Sequence, residues 1–425
     1  MKRTALISLL ILCVVTAQAV AADENAPSTV SAAYYSVMDF GAKGDGETDD
    51  TKAFTAAMNA ASEAGGGVVF LPTGNFLIKT HLEIPQFVTL KGVWNAPPVT
   101  PEKHGSTLLA VEGKGDKDGT PFITMNRGST LDGISIFYPE QIDANPPHPY
   151  PWTVRASANG ADNCSIVDVL MVNPYQAVDF GTNPAGRHYI KGLYGQPLYR
   201  GIYIDNCFDV GRIEDVHFWP FWKIAWETLI KFTQEQGEAF VLGRTDWEMV
   251  SDSFCIFYKI GFHFIEGEHG PGNVMITQSG ADIGPCAVQV DKVMKHAGIS
   301  FANCQFMTKI VVSEDNPGPV KFDGCGFWPV KDATSHAVLA GTGQVTFENC
   351  HFSEWDKQKT GAPCIDADCE GITITACDFM DKGEKQIVLG ENVKSAIITS
   401  NRFRGGKKIE NNSKGNVQIG LNTDR

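Results

Sequence analysis

Apolar and polar positions alternate in short bursts along most of the chain, and the bursts repeat. Ile299-Ser300-Phe301-Ala302-Asn303-Cys304-Gln305-Phe306 is echoed by Val320 to Phe327, by Val345 to Phe352 and by Ile372 to Phe379, and a last copy ends in Ser400-Asn401-Arg402-Phe403. The corner position (Cys304, Cys325, Cys350, Cys377, then Asn401) recurs at spacings of 21, 25, 27 and 24 residues. Alternation reads as strand; a small or polar residue followed by a new aromatic reads as a sharp corner and a second strand. A period in the twenties marks a solenoid whose repeats touch only their neighbours. Weaker copies are Leu131 to Ile136 and Ile213 to Phe218. The pattern predicts an all-β fold, a right-handed single-stranded parallel β-helix over residues 36–415. Residues 416–425 read as a C-terminal tail.

The period shifts from two to 3.6 near the start. After the glycine-rich turn Gly41 to Gly46, Phe54, Ala57, Met58 and Ala61 share one face of a helix ending near Ala64. Thr48 or Asp49 suits its N-cap, and Gly65-Gly66-Gly67 stops it. Strands Val68 to Pro72 and Asn75 to Ile78 follow, so residues 36–80 form an N-terminal cap with a capping α-helix. A second departure spans residues 217–247. The aromatic run His217 to Trp222 leads into a helical segment to Gln236, with Ala225, Leu229 and Phe232 on one face, and Trp247 follows. Asn145 to Trp152, rich in proline, reads as a rigid loop.

Met1-Lys2-Arg3, an apolar run from Ala5 to Val15 and the small residues Ala17 to Ala22 form a secretory leader, residues 1–22, with 23–35 as a linker. The expectation is a secreted protein, extracellular or periplasmic. No later apolar run is long enough to cross a membrane as a helix. The formal charge of −14 argues against a nucleic-acid partner, which requires a basic stripe. Ten cysteines follow the leader's Cys13. The four at corner positions read as an inward ladder of small apolar side chains; Cys364 and Cys369 lie outside it and are the disulfide candidates. No zinc-type spacing recurs. The acid-rich turn Asp45 to Asp50 lacks the spacing of a calcium loop and reads as turn and cap. No metal or cofactor is expected; calcium is left open but is not indicated by any spacing.

Asp39-Phe40-Gly41-Ala42-Lys43-Gly44-Asp45-Gly46, Asp49 to Ala53 and Gly65 to Gly74 together resemble the opening of the pectate-lyase-like superfamily, which includes polygalacturonases and rhamnogalacturonases. The resemblance implies a β-helix capped by its first helix, with a polysaccharide bound along one sheet. It implies no catalytic set. The polygalacturonase Asn-Thr-Asp appears only as Asn422-Thr423-Asp424, Gly-His-Gly is reduced to Glu268-His269-Gly270, and Arg-Ile-Lys is replaced by Arg212-Ile213-Glu214.

The strand after each long turn is then the substrate-facing one: Ala177 to Phe180, Gly201 to Asp205, Ala239 to Arg244, Gly261 to Phe264 and Ala287 to Asp291. Period two turns Asp179, Tyr203, Asp205, His263, Gln289 and Asp291 outward, with Arg244, Asp246 and Glu266 just past strand ends. Paired carboxylates suit glycoside hydrolysis, one protonating the leaving oxygen and one activating water. The catalytic candidates are Asp179, Asp205, Arg244, Asp246, His263 and Glu266. Tyr203, Arg187, His188, Trp219, Trp222, Trp247, His269, Gln289 and Asp291 are the binding candidates, the tryptophans as stacking faces for sugar rings. A uronate lyase with Arg244 and His263 in its chemistry is the enzyme rival, and a non-catalytic glycan-binding or adhesin-like β-helix the rival from another class. The expected partner is a polysaccharide, the chain being a monomer or a homotrimer.

Overall fold

The computed structural model describes residues 33–95, 104–221, 227–330, 334–382 and 385–424. The leader, most of the linker, Trp222 and Ala225 lie outside them.

The chain winds into a parallel β-helix. One side is a 13-stranded sheet, here the front sheet. Its strands are β1 (Leu82–Ile84), β2 (Ile123–Met125), β3 (Trp152–Ala156), β4 (Gln176–Phe180), β5 (Arg200–Ile204), β6 (Glu238–Leu242), β7 (Ile260–Phe264), β8 (Cys286–Val290), β9 (Ile310–Val312), β10 (Ala337–Leu339), β11 (Ile365–Ala367), β12 (Ile387–Leu389) and β13 (Ile409–Asn411). The other sides are a 28-stranded sheet that bends at the corner residues.

Register follows the repeat. Ile299, Val320, Val345 and Ile372 are partners across successive coils, as are Phe306, Phe327, Phe352, Phe379 and Phe403. Equivalent side chains therefore stack. Phe301, Phe322 and Phe347 lie nearly parallel at 5.0 Å centroid spacing, which follows the strand-to-strand distance. All ten cysteines among the described residues are free and buried, so Cys364 and Cys369 form no disulfide. Each ladder thiol donates back to the carbonyl two residues earlier, as Cys350 does to Glu348 at 3.2 Å. The thiol thereby satisfies a bend carbonyl as well as filling space.

Asn401 continues the ladder, accepting from the Cys377 N–H at 2.9 Å, and Asn422 repeats the move on Asn401. The expected tail is thus another rung, with Asn416–Gly420 paired to Ser395–Thr399 and Thr423–Asp424 to Arg402–Phe403. The coil also starts earlier than expected, because Tyr34–Ser36 pairs with the strand Gly67–Phe70.

Helix α1 (Thr51–Glu63) buries Phe54, Ala57, Met58 and Ala61 and packs on strands Tyr34–Ser36 and Gly67–Phe70. The cap differs from expectation by one residue. Asp49 accepts from the Thr51 N–H and hydroxyl, while Asp50, N-cap by position, turns its carboxylate to the N–H groups of Lys43 and Gly44. Asp45 closes its own turn through Glu47 and Thr48, whose donors hold its carboxyl down at about 2. Helix α2 (Glu227–Gln236) buries Leu229, Phe232 and Thr233. It lies beside the starts of β4 to β7, with Phe232 against Tyr175, Asn145 bonded to Glu235 and Thr233 accepting from the Lys259 N–H.

Candidate functional site on the front sheet

The strands expected to face substrate align rung on rung. Val178, Ile202, Phe240, Phe262 and Val288 form one inward row; Asp179, Tyr203, Val241, His263 and Gln289 form the outward row beside it.

A second outward row runs along the strand starts, through Trp152, Gln176, Arg200 and Glu238. Strict alternation misses it. In β4 to β8 the first residue is followed by a small one (Ala177, Gly201, Ala239, Gly261, Ala287) that points inward together with its successor. A side chain at Gly261 would meet the buried Cys255 thiol. Two consecutive inward positions bend the strand and turn Arg200 and Glu238 to the same outer face as His263. The recurring polar–small–apolar start was the available signal.

The two rows meet in a charged line across four neighbouring coils. Arg200 pairs with Glu238, Glu238 Oε2 lies 3.4 Å from His263 Nδ1, and His263 Nε2 lies 2.8 Å from Asp291 Oδ2. Gln289 donates to Asp291 at 2.7 Å and Ser313 adds a further donor at 3.1 Å. Burial alone would push the His263 imidazole down, but Asp291 and Glu238 outweigh it and raise it to about 9. The ring is therefore cationic at neutral pH. Asp291 is held below the usual carboxylate range, first by His263. For Glu238, burial works upward, and His263 with Arg200 overcomes it and holds the carboxyl below its ordinary value. Asp291, 47% exposed at its side chain, is the open end of the line.

Several expected site residues have other roles. Asp179 faces outward but is fully buried. Its carboxylate is saturated by Arg155 Nε at 2.7 Å, by the N–H groups of Gly181 and Thr182 and by the Thr182 hydroxyl. Asp205 accepts from the Arg244 N–H at 2.5 Å and from the Tyr203 hydroxyl at 3.2 Å. The hairpin Glu266–Gly267/Gly270–Pro271 closes over it so tightly that a side chain at Gly267 would strike the carboxylate. Neither carboxylate is open for acid–base work.

Tyr203 stacks on Trp152 at 6.3 Å. Arg244 pairs with Asp246, and Glu266 with Lys292 at 2.6 Å. Arg187 is tied to Asp162, Asp209 and Asn163. Trp219 packs with Leu170, Val172 and Phe221 on the 28-stranded sheet, away from this face. His188 is no loop residue facing water. It is buried inside the coil stack, with Nε2 2.9 Å from Glu248.

At the strand-end side, Trp247 is 57% exposed. Phe208, 53% exposed, lies under the Arg244 guanidinium at 5.5 Å and against His269 at 5.5 Å. Sequence reasoning did not single out Phe208, whose position past the end of β5 has no periodic signature.

Residues 34–129 match the family described as rhamnogalacturonase A/epimerase, pectate lyase-like. The parallel β-helix and this opening segment together fit the pectate-lyase-like superfamily. Alginate lyase 7 of Azotobacter vinelandii is 61% identical over 44 residues, covering 10% of this chain and 5% of that protein. The tail spike protein of Shigella phage Sf6 is 24% identical over 323 residues, 72% of this chain and 47% of that protein. The chain thus spans less than half the length of either relative. Among solved structures, the gene product 12 N-terminal fragment of bacteriophage Phi29 superposes with a TM-score of 0.59 at 13% identity, covering 91% of this chain and 71% of that one. The tailspike protein of E. coli bacteriophage HK620, in complex with a pentasaccharide, gives 0.52 at 9% identity, covering 91% and 80%. At such identities the likeness is one of fold.

Proposed function

We propose that this chain is a secreted enzyme that hydrolyses a polysaccharide laid along the outer face of the front sheet, with Glu238, His263 and Asp291 as its reaction centre. The observation that carries the reading is the line Arg200–Glu238–His263–Asp291. It runs across the strands, along the coil axis, at the rung spacing of about 4.8 Å, comparable to one sugar unit. A linear glycan in that direction meets a new rung with each residue. The pentasaccharide held by the HK620 tailspike and the alginate lyase similarity support a glycan as the ligand.

Hydrolysis is favoured over elimination by charge balance. Arg155, Arg200, Arg244, His263 and Lys292 each already face a carboxylate. None of these five is spare to neutralise a uronate. Glu238 and Asp291 stand on opposite sides of an imidazole ring rather than against each other. A ring between the two carboxylates favours the spaced arrangement of inverting glycosidases, about 6.5–9.5 Å, over the about 5 Å of retaining ones. His263 is the proton reservoir. The imidazolium gives its proton directly to the leaving glycosidic oxygen, with the Asp291 carboxylate, held ionised, orienting the ring, while Glu238, kept ionised by Arg200 and His263, takes a proton from the attacking water. Phe208 and Trp247 offer exposed rings beside the row for sugar stacking.

The test is a panel of neutral, uronic and sulfated polysaccharides read by reducing ends and by the ultraviolet absorbance of unsaturated uronates. Reducing ends should rise without that absorbance. Glu238→Gln and Asp291→Asn should each lower turnover by about 10²–10⁴-fold with the fold intact. Unsaturated products would make it a lyase, and binding without turnover across the panel a glycan-binding protein.

A further inference from the structure

His188, Cys207 and Glu248 come from three separate turns and converge inside the coil stack, all fully buried. His188 precedes the strand Tyr189–Gly195, Cys207 follows β5, and Glu248 begins the strand Glu248–Ser251. Backbone register puts His188, Gly211 and Glu248 at equivalent positions of consecutive coils, since Arg212 N–H bonds to His188 O and Met249 N–H to Gly211 O. The middle position is glycine for a reason. A methyl group there would collide with both Glu248 Oε2 and the His188 ring. The missing side chain lets residues two coils apart meet.

We propose that these three side chains form a binding site for a divalent cation of the zinc class. Their donor atoms all lie within 4.8 Å of one another. An imidazole, a thiol and a carboxylate are the ligand types zinc takes, at about 2.0–2.3 Å each. A thiolate–imidazole pair disfavours calcium or magnesium.

Two details point to an occupant. Glu248 Oε2 is buried with no hydrogen-bond partner, and an orphaned carboxylate oxygen is costly unless something cationic meets it. His188 Nδ1 lies 2.8 Å from Ala185 O, which makes that nitrogen the N–H and aims Nε2 at Glu248, and the Cys207 sulfur stands 4.0 Å from Nδ1 at the ring's edge. Metal-bound histidines are commonly oriented by such a second contact.

Without a cation, one proton sits between His188 and Glu248 and another on the Cys207 thiol, which donates to Asp209 O at 2.8 Å. Binding M²⁺ releases both protons and leaves three protein ligands on the metal, neutral imidazole, carboxylate and thiolate. This site is separate from the front-sheet row and does not depend on the proposed hydrolysis.

The test uses the full chain expressed in zinc- or cobalt-supplemented medium. About one zinc per chain is expected by elemental analysis, with a thiolate-to-cobalt charge-transfer band in the cobalt form. A chelator should lower the wild-type thermal midpoint. Cys207→Ser should remove the band while retaining the far-ultraviolet dichroism of a β-helix. If that variant fails to fold, the wild-type readouts decide. A wild-type protein without zinc, without the cobalt band and with a chelator-insensitive midpoint would overturn the proposal.

Discussion

His188 and Glu248 stand sixty residues apart in sequence and meet at 2.9 Å across the coil that carries Gly211. Gly211→Ala should force them apart and cost about 1–3 kcal/mol, the usual range for overpacking a close-packed interior. Chemical denaturation against Gly420→Ala is the check. A side chain at Gly420 meets open space, so that variant should lie within about 0.5 kcal/mol of the parent.

Asp179 should behave as a structural residue. Asp179→Asn leaves Arg155, 22% exposed, facing a neutral amide inside the sheet's outer layer. Removing one partner of such a pair costs about 3 kcal/mol, less to the extent that water reaches the guanidinium. Denaturant midpoints should fall, while turnover per folded molecule stays near that of the parent. A large loss of turnover at unchanged stability would return Asp179 to the reaction centre.

The pH dependence of stability should carry the signature of His263. Its folded-state value of about 9 stands above the ordinary 6.5. The pairing therefore adds stability that is complete below pH 6.5, declines as pH rises and is gone above 9. The amount is on the order of 3 kcal/mol. Asp291 runs the other way; with its value lowered, its contribution is lost only as acid protonates it. Comparing unfolding of the parent with His263→Gln between pH 6 and 10 isolates the first effect. The stability gap between them should close towards pH 10.

Phe322 lies between Phe301 and Phe347, each at 5.0 Å. Phe322→Ala should cost about 3–5 kcal/mol, measured by thermal or urea unfolding. Phe322→Leu should cost less, since it keeps most of the buried volume.

Thiol titration in denaturant should give the same count with and without prior reduction, because the cysteines of the coil stack are free. A deficit of two before reduction, mapped to Cys364 and Cys369, would overturn the free state of those two thiols.

The coil stack was legible because its signal is repeated. Each Cys–x–Phe copy confirms the others, and the helix near Phe54 shows its own 3.6 period. The outward row was legible for the same reason. What strand phase could not give was cover. Asp179 and Asp205 face outward as expected, yet Arg155 and the Glu266–Pro271 hairpin that cover them come from other coils. Glu238 was missed because Ala239 and Phe240 both turn inward, breaking the alternation that would have placed it. His188 was read as solvated because the sequence around it, Gly186-Arg187-His188, has the composition of a loop. Only stacking against Glu248, sixty residues on, makes it interior.

The aligned columns of Phe and Cys also limit how such a chain can change over time. Adding one residue inside a strand would turn the rest of that strand's side chains to the wrong face, so single insertions are disfavoured there. The uneven spacing of the corner cysteines, 21, 25 and 27 residues, shows where length is absorbed instead. Loops lengthen freely between rungs, and the wall itself can gain or lose only a complete turn. The natural unit of inheritance in this fold is therefore the whole coil, and new specificity arises by re-dressing the loops that border an unchanged staircase.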